Sequence, residues 1–172
     1  MIRATLSEAG MLAAFIWKAW KRAGPDAFGW TGATEEGIRD LADRKTLEAI
    51  IGRPHSWIFI AVDGSNAVGF CASRKLDEET AELAGIVVLQ DMLGRGIGTE
   101  LLEAAKQSAL QEGFKRIVVK TEASNERAIA FYERRGFALV RDLEENVREI
   151  RARLKELALD LPGVARTGAS EA

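Results

Sequence analysis

Residues 82–105, ELAGIVVLQDMLGRGIGTELLEAA, place an apolar run, three glycines within five positions and an abrupt helical pattern one after another. The run ELAGIVVL reads as a strand, apolar enough at its end to be buried on both faces. From about Thr99 to Glu112, Leu101, Leu102, Ala105, Ala109 and Leu110 recur at helical spacing, and Gly113 ends the helix. Between the two, Gly94, Gly96 and Gly98 let backbone N–H groups converge on a ligand with no side chain in the way. A helix that begins directly behind adds its unpaired N–H groups and the positive end of its dipole. The segment is either an ordinary strand-to-helix turn or an anion site, most naturally for phosphate.

Two common phosphate loops are excluded. A P-loop needs Gly-Lys followed by Ser or Thr, whereas Gly98 is followed by Thr99-Glu100. A dinucleotide fingerprint beginning at Gly94 would need glycine at position 99, and it would follow the first strand of a parallel unit. Composition narrows the class further. A net charge of −2 gives no electrostatic case for nucleic acid or an anionic membrane. No apolar run approaches the ~20 residues of a membrane span, and MIRATLSEAG lacks the pattern of a signal peptide. Cys71 is the single cysteine, read as a small buried hydrophobe, and the expected location is cytoplasmic. No Cys/His/Asp cluster has metal-ligand spacing, so no metal is expected.

The flanking chain supplies an element order. Ile2 to Leu6 alternates as a short strand, and Ser7 is placed to cap a helix carrying Leu12, Ile16, Ala19 and Trp20. A glycine-rich loop, residues 24–33, carries Pro25, Phe28 and Trp30. Thr34 caps a second helix with a break expected near Asp43, and Gly52-Arg53-Pro54 stops it. WIFIAVDGSNAVGFCASRK, residues 57–75, is a hairpin around the turn cluster at 63–66. A strand at 116–121 and a helix from about Glu126 to Arg135 follow, the latter capped by Asn125 and ended by Gly136. The C-terminal part is ambiguous. Leu143, Val147, Ile150, Leu154, Leu157 and Leu161 step like a helix, and local propensity favours one. Yet Ile150, Ala152, Leu154 and then Leu157, Leu159, Leu161 alternate like a strand with one bulge. Residues 1–161 are expected to form a single domain, with 162–172 a disordered tail.

The stretch around Gly94–Gly98 resembles motif A of the GNAT N-acetyltransferase superfamily, whose glycine core is Q/R-x-x-G-x-G/A. Downstream, NERAIAFYERRGF at 125–137 is similar to its second segment, N-x-x-A-x-x-F-Y-x-x-x-G-F, at every one of those letters. Leu93 stands where the family usually carries Gln or Arg, a departure that Arg95 partly offsets. The resemblance implies a GNAT fold: an α/β (α+β) chain with a mixed, mostly antiparallel sheet flanked by helices. It also implies a final hairpin whose last strand lies beside 116–121. A V-shaped opening would separate the strands at 82–89 and 116–121. The pantetheine arm of acetyl-CoA would bond there to the backbone of Ile86, Val87 and Val88. Its diphosphate would sit on Gly94, Arg95, Gly96, Ile97, Gly98 and Thr99. Asn125, Ala128, Phe131 and Tyr132 would line the arm, and no metal enters.

The implied chemistry is direct acetyl transfer from acetyl-CoA to a primary amine of a small metabolite, a peptide N-terminus or a lysine. Such transfer needs a neutral amine, a donor for the developing oxyanion (the N–H of Val87 or Val88) and a proton for the departing thiolate. Tyr132, the single tyrosine, stands at the family's general-acid position. For the base, Glu82 and Glu122 are the candidates, each with the plainer alternative of a solvated surface charge; His55 is expected to be exposed. Trp17 and Trp20 read as core, whereas Trp30 with Phe28 suits an acceptor pocket. The competing class is a GNAT-like module that binds acyl-CoA without turnover, and a homodimer through the C-terminal element is compatible with either.

Overall fold

The computed structural model describes residues 1–147 and 150–163, so residues 164–172 of the expected tail lie outside the described residues. Strand β1 (Ile2–Arg3) leads through a 3-10 turn, Leu6–Glu8, into helix α1 (Ala9–Ala23). Thr5, not Ser7, organises this entry. Its N–H and Oγ1 both donate to Glu8 Oε2 at 2.7 Å, while Ser7 donates to the other oxygen of Glu8 at 2.8 Å. The extra turn moves the cap two residues upstream of the position that the apolar spacing suggests.

Helices α2 (Glu35–Leu41) and α3 (Arg44–Ile51) are separated where Asp43 breaks the pattern. Thr34 Oγ1 accepts from Gly37 N–H at 3.1 Å, and Asp43 Oδ2 accepts from Thr46 N–H at 2.9 Å, so each helix has its own side-chain cap. Strands β2 (Ser56–Asp63), β3 (Asn66–Lys75) and β4 (Thr80–Val88) form an antiparallel meander. Helix α4 (Ile97–Gln111) then crosses to β5 (Arg116–Glu122), which lies parallel to β4. Helix α5 (Glu126–Glu133) leads to β6 (Ala138–Val147) and β7 (Ile150–Asp160). The seven-stranded sheet has the order β1-β2-β3-β4-β5-β7-β6, antiparallel at every pair except β4–β5.

The C-terminal part is therefore a hairpin, and the helical reading of 143–161 is overturned. Its leucine steps reflect a strand buried on both faces rather than a helical stripe. Leu154, Glu156 and Ala158 are buried on one face of β7, and Leu157 is fully buried on the other. Nor does β7 carry the bulge that the alternation suggested: the register shift falls on β6, between Leu139 and Arg141.

Helix α1 packs on one face of the sheet, with the Phe15 and Phe70 rings meeting edge to face at 5.7 Å. Helix α4 packs on the other. A Cβ on Gly69 of β3 would lie 3.2 Å from Leu101 and 3.3 Å from Ile97. Cys71, beneath the same helix, donates to Leu101 O at 3.3 Å and is fully buried, as its composition-based reading held. No helix among the described residues is long and apolar enough to cross a membrane.

Candidate active site

The site begins where two parallel strands part. Strands β4 and β5 pair from Thr80–Arg116 to Leu83–Val119 and no further, although β4 runs on to Val88 and β5 to Glu122. Beyond that point β4 stays with β3, through Cys71–Ile86 and Gly69–Val88, and β5 stays with β7, through Lys120–Glu156 and Glu122–Leu154. The divergence has a local cause. The β3–β4 register shifts between Ala72–Gly85 and Ser73–Leu83, leaving Ala84 as an extra residue that bends β4 away from β5. Leu89 N–H bonds to Val68 O on the β3 side. By the alternation of a strand, Val87 faces β3 as well, so Ile86 and Val88 turn their N–H and C=O groups to the opening. Of the two oxyanion donors named from sequence, Val88 turns its N–H to the opening and Val87 turns its own to the β3 ladder.

The opening widens into a cleft of about 1280 Å³, larger than the ~300–1,000 Å³ typical of drug-sized ligands. It is lined by Ile86 and Val88, by Gly94, Gly96, Ile97, Gly98 and Thr99, and by Asn125, Ala128, Phe131 and Tyr132. Val87 is buried in the core, and Arg95 is exposed outside the lining, so neither side chain joins the others.

At the far end of the cleft stands the start of α4. Gly94 and Gly96 have φ of +78° and +81°, a conformation strained for any residue with a Cβ. Gly98 serves differently: a Cβ there would meet the Phe131 ring at 3.3 Å, so its bareness lets α5 approach α4. The first backbone bond of α4 is Glu100 N–H to Gly96 O at 3.0 Å, which leaves the N–H groups ahead of it without helical partners. An elongated anionic ligand with a narrow arm fits these features. The free N–H groups meet its charge, and the parted strands meet its arm.

Tyr132 is 5% exposed, packed against Phe131 and Phe137 with ring centroids at 5.2 and 5.4 Å, and still touches the cleft. Burial pushes its phenol well above the ordinary value, and Cys71 adds to the shift. A phenol is protonated at neutral pH even at its ordinary value, the state a proton donor needs, and burial holds that proton more tightly. Burial likewise pushes the Cys71 thiol up to about 12, which leaves it inert as a nucleophile.

The two carboxylates are not solvated surface charges. Glu82 is 7% exposed; its Oε2 accepts from Arg74 Nε at 2.6 Å and Nη2 at 2.5 Å, while among the described residues Oε1 has no partner. Glu122 has both oxygens occupied, by Thr31 N–H at 3.1 Å and Thr31 Oγ1 at 2.7 Å. Asn125 is also engaged at both ends: Oδ1 accepts from Ala128 N–H at 3.1 Å, and Nδ2 donates to Gly29 O at 3.2 Å. Glu122 and Asn125 thus fasten the loop at 24–33 beside the cleft, where Phe28 and Trp30 join the lining. His55 is exposed, as expected, and has φ of +56°. Sequence reasoning missed Arg74, whose partner Glu82 lies across the β3–β4 hairpin, and Thr31 and Arg135, whose partners Glu122 and Thr99 come from distant parts of the chain.

A family model described as Acetyltransferase (GNAT) family matches residues 16–137. The chain belongs to the GNAT acetyltransferase family. It is 26% identical over 120 residues to a mycothiol acetyltransferase of Corynebacterium efficiens, covering 70% of this chain and 40% of that protein. It is 31% identical over 90 residues to N-alpha-acetyltransferase 30 of Schizosaccharomyces pombe, covering 48% of this chain and 60% of that one. The chain thus spans less than two thirds of either relative. Among solved structures it is similar to the paia N-acetyltransferase of Thermoplasma acidophilum in complex with coenzyme A. The TM-score is 0.67 at 18% identity, over 90% of this chain and 98% of that one, a likeness of fold.

Proposed function

We propose that this chain is an N-acetyltransferase that uses acetyl-CoA as cosubstrate and acetylates a primary amine. The observation that carries the reading is the parting of β4 and β5 after Leu83–Val119 above a cleft that ends on the free N–H groups of α4. The CoA-bound structural neighbour and the acetyltransferase names of the relatives support it.

In this reading the backbone of Ile86 and Val88 holds the pantetheine arm, and Gly94, Gly96, Ile97, Gly98 and Thr99 hold the diphosphate. Acetyl-CoA supplies an activated thioester, so the chain's own task is to orient, neutralise charge and move protons. Glu82 takes the amine proton on Oε1, directly or through water, while Arg74 fixes the carboxylate through Oε2. Val88 N–H faces the oxygen on which negative charge develops. Tyr132, a protonated phenol that reaches the cleft, gives its proton to the departing sulfur. Glu122, with both oxygens on Thr31, shapes the acceptor wall instead of acting as base. Phe28 and Trp30 present the apolar part of that wall.

The test is release of free CoA thiol from acetyl-CoA across a panel of small amines, peptides with free N-termini and lysine peptides. Amine-dependent release with a matching gain of one acetyl group on the acceptor is expected. Tight acetyl-CoA binding with no release on any amine would make the chain a binding module instead.

A further inference from the structure

Arg135 has no role in the chemistry above, yet its guanidinium stands against the first turn of α4. It occupies one of the unspecified positions of the segment N-x-x-A-x-x-F-Y-x-x-x-G-F, so nothing in that pattern calls for it. Its Nη2 donates to Thr99 Oγ1 at 2.5 Å, in the first turn of α4, and its Nη1 donates to Phe131 O at 2.8 Å. The guanidinium carbon lies 3.7 Å above the centre of the Phe131 ring, and that ring in turn packs against Gly98. The side chain is half-buried, and Nε is fully buried with no partner.

What the guanidinium lacks is an acid. Among the described residues Arg22, Arg39, Arg44, Arg74, Arg116, Arg141, Arg151 and Arg153 each meet a carboxylate; of the arginines that meet none, Arg3, Arg53, Arg95, Arg127 and Arg134 are exposed and Arg135 alone is half-buried. Its charge instead stands beside the unpaired N–H groups and positive dipole end of α4. Two positive poles side by side in a half-buried site repel each other, and an anion between them relieves both. Arg127 and Arg134, exposed on the same segment and also lining the cleft, add to the field.

We infer that Arg135 is the fixed cationic partner of the ligand's diphosphate, completing the anion site that the glycine loop begins. The inference rests on the acetyl-CoA reading above. Thr99 and Phe131 hold the guanidinium in place before the ligand arrives, which cuts the ordering cost of binding. Arg rather than Lys fits because its planar fork can bond Thr99, Phe131 O and an anion oxygen together.

The experiment measures acetyl-CoA, 3′-dephospho-CoA and acetyl-pantetheine binding to the wild type, Arg135→Gln and Arg135→Lys by calorimetry over a range of salt concentrations. Arg135→Gln keeps a group able to bond Thr99 while removing the charge. It is expected to weaken both nucleotide ligands roughly tenfold or more, to flatten their salt dependence, and to leave acetyl-pantetheine, which lacks the diphosphate, unchanged. Arg135→Lys is expected to keep the salt slope and recover part of the affinity. Equal loss for all three ligands, or unchanged affinity and slope, would overturn the assignment, the former pointing to a clamp between α4 and α5. Loss confined to the ligand with a 3′-phosphate would overturn it in favour of that phosphate. If wild type binds acetyl-pantetheine but gains nothing from the nucleotide, or binds none of the three, the acetyl-CoA reading itself fails.

Discussion

At the scale of single residues, the site is built by burial and backbone conformation more than by charge. Tyr132 is sealed from water except toward the cleft, and the same burial that raises its pKa keeps the proton in place. Replacing Tyr132 with Phe removes the proton and keeps the ring, so transfer should slow roughly 10²-fold or more while acetyl-CoA affinity stays near wild type. A slowing of less than about tenfold, measured with saturating amine, would remove Tyr132 from the role of acid. Gly96→Val forces a β-branched residue to φ near +81°, at a cost of about 1–3 kcal/mol, and turns the N–H groups of the loop out of register. Acetyl-CoA binding should be lost, and wild-type affinity would mean that the loop holds nothing. Gly96 was legible in the sequence from a glycine run before a helix, and Tyr132 from the resemblance of residues 125–137 to the family's second segment. Arg74, Thr31 and Arg135 were not. Thr31 is 91 residues from Glu122, and Arg135 is 36 from Thr99, and no periodicity reports contacts across such distances.

Between elements, what matters is register. One extra residue, Ala84, separates β4 from β5 and opens the cleft, and one shift beside Val140 sets how β6 lies on β7. The strands at 56–63, 66–75 and 116–122 were readable from alternation and turn residues, whereas in the final hairpin a strand-like alternation competed with a helical step. Residues 150–160 are rich in Arg, Lys, Glu, Leu and Ala, and pairing with β5 on one side and β6 on the other overrides that helical preference. Beside its apolar packing, the loop at 24–33 is tied by side-chain hydrogen bonds from two residues beyond it, Glu122 to Thr31 and Asn125 to Gly29. Glu122→Ala removes two hydrogen bonds to a buried carboxylate, worth about 1–3 kcal/mol. The Thr31 amide should then exchange with deuterium roughly tenfold faster or more, and KM for the amine should rise more than kcat falls. Unchanged exchange at Thr31 would show that the loop is held by its apolar contacts alone.

Across the whole molecule, the same buried neutral groups tie stability to pH. Cys71 and Tyr132 both have folded pKa values above their unfolded ones, so the folded state holds more protons than the unfolded state at alkaline pH. Their contribution is complete below pH ~9 and declines as pH rises, for Cys71 through the span from 9.0 to about 12. The double variant Cys71→Ala, Tyr132→Phe should therefore show a flatter loss of stability above that pH than wild type in denaturant titrations. A parallel loss in both proteins would assign alkaline unfolding to other groups. The central claim, that the parted strands and the start of α4 form an acetyl-CoA site, is tested most directly by thermal unfolding with and without the ligand. At ~100 times Kd, binding adds about 2.7 kcal/mol, which raises Tm by roughly 5–10 °C for a chain of this size. A rise of that order, lost in Gly96→Val, is the predicted result; an unchanged Tm at saturating acetyl-CoA would contradict it.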